Sequence, residues 1–314
     1  MLPLEVVPQG TLLNTILNSE QRESMSRFSE QLRAGKFVIT AEIAPPKGVD
    51  TQQILRQAEN MAFLTAINVT DNQGANMRTS PVAVAATLIT AGYEPILQLT
   101  CRDRNRMALQ SELLGAAMLG VENVLLLSGD HPGFGDHPQA RPVFDVDSVH
   151  LLGAVHQLNA GQDMAGRALS GVPKFFAGAA AMPAAEPFEL MFQKFHKKVL
   201  AGAQFFQTQA VFDAEKMSRF MAAVRPLGVP VIAGVLLLKS ARMCRFLNER
   251  IPGVRVPQSL IERLEKAADP LEEGVIIASE RVRQARTECQ GVHLMTLGQE
   301  KRIPEILERA GISC

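Results

Sequence analysis

Short apolar, β-branched runs recur along this chain, and each is followed by a segment with helical spacing. The runs fall at 37–43 (FVITAEI), 66–70 (AINVT), 95–100 (PILQLT), 123–127 (NVLLL), 174–179 (KFFAGA), 204–208 (QFFQT), 230–236 (PVIAGVL) and 292–296 (VHLMT). Runs of this length, rich in Val, Ile and Phe, predict buried strands. Between them, 51-TQQILRQAENMAFL-64, 81-PVAVAATLITAG-92 and 103-DRNRMALQSELLGAAMLG-120 place apolar residues at helical spacing. So do 187-PFELMFQKFHKKVLAG-202 and 213-DAEKMSRFMAAVRPLG-228, and the Ala-Gly and Leu-Gly endings suit helix C-caps. Further helical length is expected at about 240–250 and 258–287, with a last helix at about 299–310. Ahead of the first strand, Glu20–Ala34 reads as a helix with Met25, Phe28 and Leu32 on one side and Gly35 as its stop. Residues 1–20 are weakly patterned and read as an arm.

Eight strands alternating with helices in a chain of 314 residues predict a (β/α)8 TIM barrel, single domain, over 36–314. Residues 1–35 form an N-terminal arm and helix. An open doubly wound sheet is the alternative. It would usually carry a G-x-G-x-x-G turn after its first strand, where this chain has EIAPPKG.

Composition narrows the class. With 46% hydrophobic and 20% charged residues, a packed core is expected rather than disorder. Lys+Arg (32) balance Asp+Glu (32), so the basic excess of a nucleic-acid binder is missing. Cys101, Cys244, Cys289 and Cys314 are scattered, with neither a C-x-x-C pair nor a His at finger spacing. They predict reduced thiols and a cytoplasmic protein, with no zinc site or disulfide framework. No apolar run approaches transmembrane length, so membrane insertion is not expected, and MLPLEVVPQG lacks the basic start of a signal peptide.

Barrels of this kind carry their chemistry at the C-terminal strand ends. Those ends read Glu42, Thr70, Gln98, Asp130, Ala180, Gln209 and Thr296. Val38, Thr40 and Glu42 share one strand face, so Glu42 is expected at the top of the inward layer. Partial desolvation there favours the protonated form and suits a general acid; a helix cap or an Arg partner is the plainer alternative. Asp130 follows VLLLSG directly, as a site acid or a turn residue. Gln204, Gln207 and Gln209 surround two phenylalanines, which is unusual for a core strand because buried amides need partners. The irregular stretch 129-GDHPGFGDHPQARPVFD-145 follows the fourth strand and supplies the candidate site histidines, His131 and His137. No Ser–His–Asp set and no metal-binding cluster can be assembled.

Taken in order, TAEIAPPKG, NVTDNQGANMR, LLLSGDHP, KKVLAGAQFFQTQAVFD and VHLMTLG resemble the motifs of the methylenetetrahydrofolate reductase family, from about residue 35 to the C-terminus. The resemblance is to the short bacterial-type catalytic barrel. It implies flavin-dependent reduction of 5,10-methylenetetrahydrofolate to 5-methyltetrahydrofolate by ping-pong hydride transfer through flavin N5, a step towards methionine biosynthesis. Glu42, Asp130 and Gln209 match the family's catalytic and substrate-binding residues. Thr70, Gln98, Ser128, Gly129, Asp130, Phe144, Asp145, Ala180 and Lys198 match positions around the cofactor, which is FAD by family habit, with FMN the alternative. The chain departs from the pattern at Gln98 (His in well-known members), Ser128 (Arg), Met182 (an aromatic), Met191 (a carboxylate) and Gln299 (Arg in some). The implied donor is NAD(P)H or an electron-donating partner protein, and the implied assembly a homo-oligomer or a subunit of a complex. A pterin-binding methyltransferase on a TIM barrel and a flavin-free non-catalytic subunit are the alternative readings.

Overall fold

The computed structural model describes residues 26–250 and 254–313. Eight parallel strands close on themselves in sequence order: β1 (Val38–Ile43), β2 (Ala66–Val69), β3 (Pro95–Thr100), β4 (Asn123–Leu127), β5 (Phe176–Ala181), β6 (Phe205–Ala210), β7 (Val231–Leu236) and β8 (Gly291–Met295). Thr40 pairs with Ala66 on one side and with His293 on the other, which closes the ring between β8 and β1. Helices α1 (Arg27–Arg33), α2 (Thr51–Glu59), α3 (Pro81–Thr90), α4 (Arg106–Met118), α5 (Ser148–Asn159) and α6 (Phe188–Leu200) come first. They are followed by α7 (Ala214–Val224), α8 (Ala241–Arg250), α9 (Gln258–Lys266), α10 (Pro270–Glu288) and α11 (Ile303–Arg309). This is the (β/α)8 barrel expected from the alternation.

Two hydrophobic layers follow from the period of two along each strand. Outward residues such as Ala41, Leu97, Val124, Phe206 and Val292 pack against the helices. Inward residues Val38, Ala66, Ile96, Phe176, Phe205 and Ile232 fill the lower lumen. Phe205 needs space that Gly178 provides, because a Cβ there would lie 2.3 Å from the ring.

Helix α1 closes the N-terminal end. Its Ser26 cap accepts from Ser29 N and donates to Asn123 Oδ1 at 2.6 Å. Phe28 is fully buried and meets the rings of Phe205 and Phe176 edge-on, at 5.1 and 6.0 Å. Its N–H donates to Glu94 Oε1 (2.8 Å), and Arg27 donates to the carbonyls of Leu64 and Thr65. Burying a phenylalanine in this way contributes about 1.5–3 kcal/mol. Gly35, left-handed at φ 70°, ends the helix as expected. The earlier part of the predicted 20–34 helix and the arm before it lie outside the described residues.

Several boundaries differ from expectation. β5 and β6 run two residues further than predicted, so Ala180 and Gln209 lie within strands rather than beyond them. The predicted 258–287 helix is two helices. Asp269 caps α10 by accepting from Leu271 N and Glu272 N, and Pro270 has no N–H to continue α9. Segment 51–64 stops being helical at Glu59, with Asn60 as C-cap.

Candidate active site

The lumen turns polar above its apolar floor. Thr40, Asn68, Gln207 and His293 are all buried and hydrogen-bonded across the barrel. Asn68 Nδ2 donates to Gln207 Oε1 (2.7 Å), and Gln207 Nε2 donates to Asn68 Oδ1 (3.2 Å) and Thr40 Oγ1 (3.4 Å). The amides that looked excessive in the sequence therefore satisfy one another.

Glu42 stands one inward step above Thr40, as alternation predicted, with its side chain 9% exposed. Oε1 accepts from Gln73 Nε2 at 2.9 Å, and Oε2 faces His293 Nε2 at 3.4 Å. His293 Nδ1 is 3.0 Å from Thr40 Oγ1, which also reaches the Val292 carbonyl at 3.4 Å. This arrangement serves both protonation states of the acid. With Glu42 ionised, Thr40 donates to Nδ1 and His293 Nε2–H donates to the carboxylate. With Glu42 protonated, Thr40 turns its hydroxyl to Val292, His293 donates through Nδ1, and Nε2 accepts from the carboxyl. Neither state strands a buried polar atom.

The sequence reading placed its candidate site histidines in the long β4 exit loop, whereas the histidine that touches Glu42 is His293 of β8. Within that loop His131 accepts from Gly133 N (3.1 Å), and His137 pairs with Asp136 (2.8 Å). Thr296, read as a strand-end residue, lies past β8 and contacts Glu300 at 3.5 Å. The alternation of β8 carried the signal, because His293 sits opposite Thr40 in the register.

Around Glu42 the rim is under-satisfied. Thr70 Oγ1 and Gln209 Oε1 are buried and have no hydrogen-bond partner among the described residues. Gln209 lies within an irregularity in the β6–β7 register between Gln207 and Ala210, the type of distortion that re-aims side chains beside active sites. Gln98 is inward on β3 and 9% exposed. At the β4 exit, Asp130 and Ser128 are exposed. Arg102, buried under this exit, donates to the Asp130 carbonyl (3.4 Å) and pairs with Asp103 (2.7 Å). Gly129 is left-handed at φ 88°, and a Cβ there would lie 3.0 Å from Thr100 Cβ, so this turn is restricted to glycine.

The remaining expected cofactor positions are spread further along the mouth. Phe144 is left-handed at φ 41° and exposed. Asp145 is bound by Arg106 through both guanidinium and main chain, which hold its carboxyl down at about 2. Ser128 Oγ reaches Ser148 Oγ at 3.4 Å. Lys198, on α6, donates to the Ala180 carbonyl at 2.7 Å. Burial, and then Lys194, bring its ammonium down to about 8, against the pull of Asp147.

The mouth has polar groups that a flavin could engage. An unpartnered hydroxyl and an unpartnered amide oxygen face the rim, where the edge of an isoalloxazine offers N–H and C=O groups. Lys198 has ammonium hydrogens left for an anionic group.

The profile of the methylenetetrahydrofolate reductase family matches residues 27–311. This chain belongs to that family. It is 24% identical over 249 residues to a probable methylenetetrahydrofolate reductase (NADPH) of Caenorhabditis elegans, covering 74% of this chain and 35% of that protein. It is 23% identical over 310 residues to the 5,10-methylenetetrahydrofolate reductase of Salmonella typhimurium (strain LT2), covering 95% of this chain and 98% of that one. The chain thus spans half or less of the eukaryotic relatives it matches. In structure it is similar to the EDTA monooxygenase of Chelativorans sp. BNC1, with a TM-score of 0.53 at 12% identity over 88% of this chain and 98% of that one, a likeness of fold. Among the described residues no helix is long and apolar enough to cross a membrane.

Proposed function

We propose that this chain reduces 5,10-methylenetetrahydrofolate to 5-methyltetrahydrofolate with a flavin, FAD by family habit, as its cofactor. Family membership supports the reading. The observation that carries it is a lumenal glutamate with partners for both protonation states, at a rim where Thr70 and Gln209 lack partners.

When bound, the flavin supplies a carrier that takes a hydride from the donor and gives it to the folate. Thr70, Gln98, Ser128, Gly129, Asp130, Phe144, Asp145, Ala180 and Lys198 would hold it, with Lys198 directed at a phosphate. The donor is NAD(P)H or an electron-carrying partner protein.

The bridging carbon of the substrate becomes a good hydride acceptor once a carbon–nitrogen bond opens. Glu42 gives the proton that opens it. As the carboxylate forms, Gln73 Nε2 is the donor already in place on Oε1, and His293 comes to donate from Nε2 once it exchanges its Nδ1 proton with solvent and takes the other tautomer, with Nδ1 then accepting from Thr40. Asp130, whose carboxylate makes no hydrogen bond among the described residues, presents a negative charge to the cation that develops on the substrate. Gln209 binds the pterin through the amide oxygen that is otherwise unpartnered.

The test is anaerobic. The flavin-loaded protein is reduced chemically, mixed with methylenetetrahydrofolate, and followed at the flavin absorption band. Reoxidation with formation of methyltetrahydrofolate is expected. A flavin that stays reduced, or a protein that takes up no flavin, would overturn the proposal.

A further inference from the structure

The loop leaving β2 reaches across the mouth to the acid on β1. Gln73 is exposed, yet its Nε2 donates to Glu42 Oε1 at 2.9 Å, the oxygen turned away from His293. The loop is anchored on both sides of this residue. Asp71 is buried and accepts from Thr100 N, Thr100 Oγ1 and Arg104 Nη1, each at 2.8 Å. Asn72, left-handed at φ 45°, accepts from Arg78 N (2.8 Å) and donates to Asp103 (3.3 Å). Beyond Gln73, the Ala75 carbonyl lies against Gly135, where a Cβ would overlap it. Asp136, ion-paired with Lys47, also accepts from Met77 N at 3.0 Å. The segment 101-CRDRNR-106 and the β4 exit therefore grip a turn whose free side chain points at the acid.

The charged groups flanking Glu42 are mostly committed elsewhere. Lys47 pairs with Asp136, Lys239 donates to the Leu297 carbonyl, and Arg78 donates to the Pro45 carbonyl through Nη1 while its buried Nε has no partner among the described residues. His293 is the titratable group in contact, Asp130 is the other acid of the rim, and Thr40, Asn68 and Gln207 beneath are neutral. A neutral N–H donor on a carboxyl oxygen favours the ionised form.

We propose that Gln73 is a positioning residue for the acid: a neutral cap that orients Glu42 by its outward oxygen and sets the pH range over which it can protonate the folate. This rests on the reduction proposed above. The acid must carry its proton to react, so the folate half-reaction falls as pH rises through its titration. Removing the donor favours the protonated form and moves that fall to higher pH.

The test compares pH profiles of flavin reoxidation by methylenetetrahydrofolate for the native protein, Gln73→Ala and Gln73→Glu. The fall should move up by roughly one pH unit in Gln73→Ala, the worth of one hydrogen bond to a charged group. It should move further in Gln73→Glu, where a like charge adds to the loss. A second readout needs no turnover. In protein labelled with carbon-13 glutamate, the carboxyl resonance that disappears in Glu42→Gln should titrate in the same order. Identical midpoints in folded native protein and Gln73→Ala would overturn the cap. A native protein that does not reoxidise would instead overturn the proposed reaction, and the resonance would still decide the cap.

Discussion

The two ends of the barrel are built on opposite principles. At the N-terminal end the plug helix is tied down by matched partners. Phe28 meets two rings, Ser26 satisfies both Ser29 and Asn123, and Glu94 accepts from the Phe28 N–H in the first turn of α1. At the C-terminal end, Thr70 and Gln209 hold buried polar atoms without partners, and Asn72, Ala75 and Phe144 adopt left-handed conformations that cost energy in residues other than glycine. The floor spends its residues on closure. The mouth keeps hydrogen-bonding capacity open, so a change at one end should register in stability and a change at the other in chemistry.

The sharpest way to break this division is Glu42→Gln. It should slow the folate half-reaction by about 10²–10⁴-fold, the usual worth of a positioned proton donor, while denaturant unfolding stays close to native. A large loss of stability with the reaction intact would reverse the assignment. Phe28→Ala should do the converse and lower stability by about 3–5 kcal/mol in urea titration, as expected for a buried phenylalanine, with the folate KM of the folded fraction unchanged.

Lys198 sharpens the comparison through pH. Its ammonium falls from the ordinary 10.5 to about 8 in the fold, so between those values the unfolded chain binds the extra proton and native stability rises with pH. The cost of the buried charge is complete below about 8. Lys198→Met should remove it, stabilising the ligand-free protein by about 1–3 kcal/mol at neutral pH and progressively less toward pH 10, after allowance for the water its partly exposed side chain retains. A pH-independent difference would show that the charge is not the cause. The smallest effect is expected from Gln209→Ala. Deleting a side chain whose buried amide oxygen has no partner among the described residues should leave stability equal or about 1 kcal/mol higher while weakening folate binding about tenfold. Lower stability would mean that the amide is already satisfied.

Much of the floor and part of the mouth were legible in the sequence. β3 and β4 fall where their apolar runs begin and end. Glu42 could be placed in the lumen because the strand period leaves it no other face. His293 was missed because the eighth run, read one residue late, drew attention to Thr296, and because its partner Thr40 lies far off in the chain and is brought alongside only when β8 closes on β1. The grip of Arg104 on Asp71 and of Asp103 on Asn72 was equally hidden. Asp103 and Arg104 open the 103–120 segment, read only for its helical spacing, and their partners after β2 come alongside only when the strands lie side by side. The β6 irregularity has no composition of its own.

The plug helix has a consequence for how the chain reaches this state. Phe28 is presented early, but its sockets, Phe176 and Phe205, belong to strands made only after well over half of the chain. Contacts of such long sequence separation are slow to form, because the loop between them must be ordered before the contact rewards it. Docking of α1 is therefore expected late in assembly, after β5 and β6 are in place. Changes in α1 should act mainly on how fast the finished barrel opens, and far less on how fast it forms.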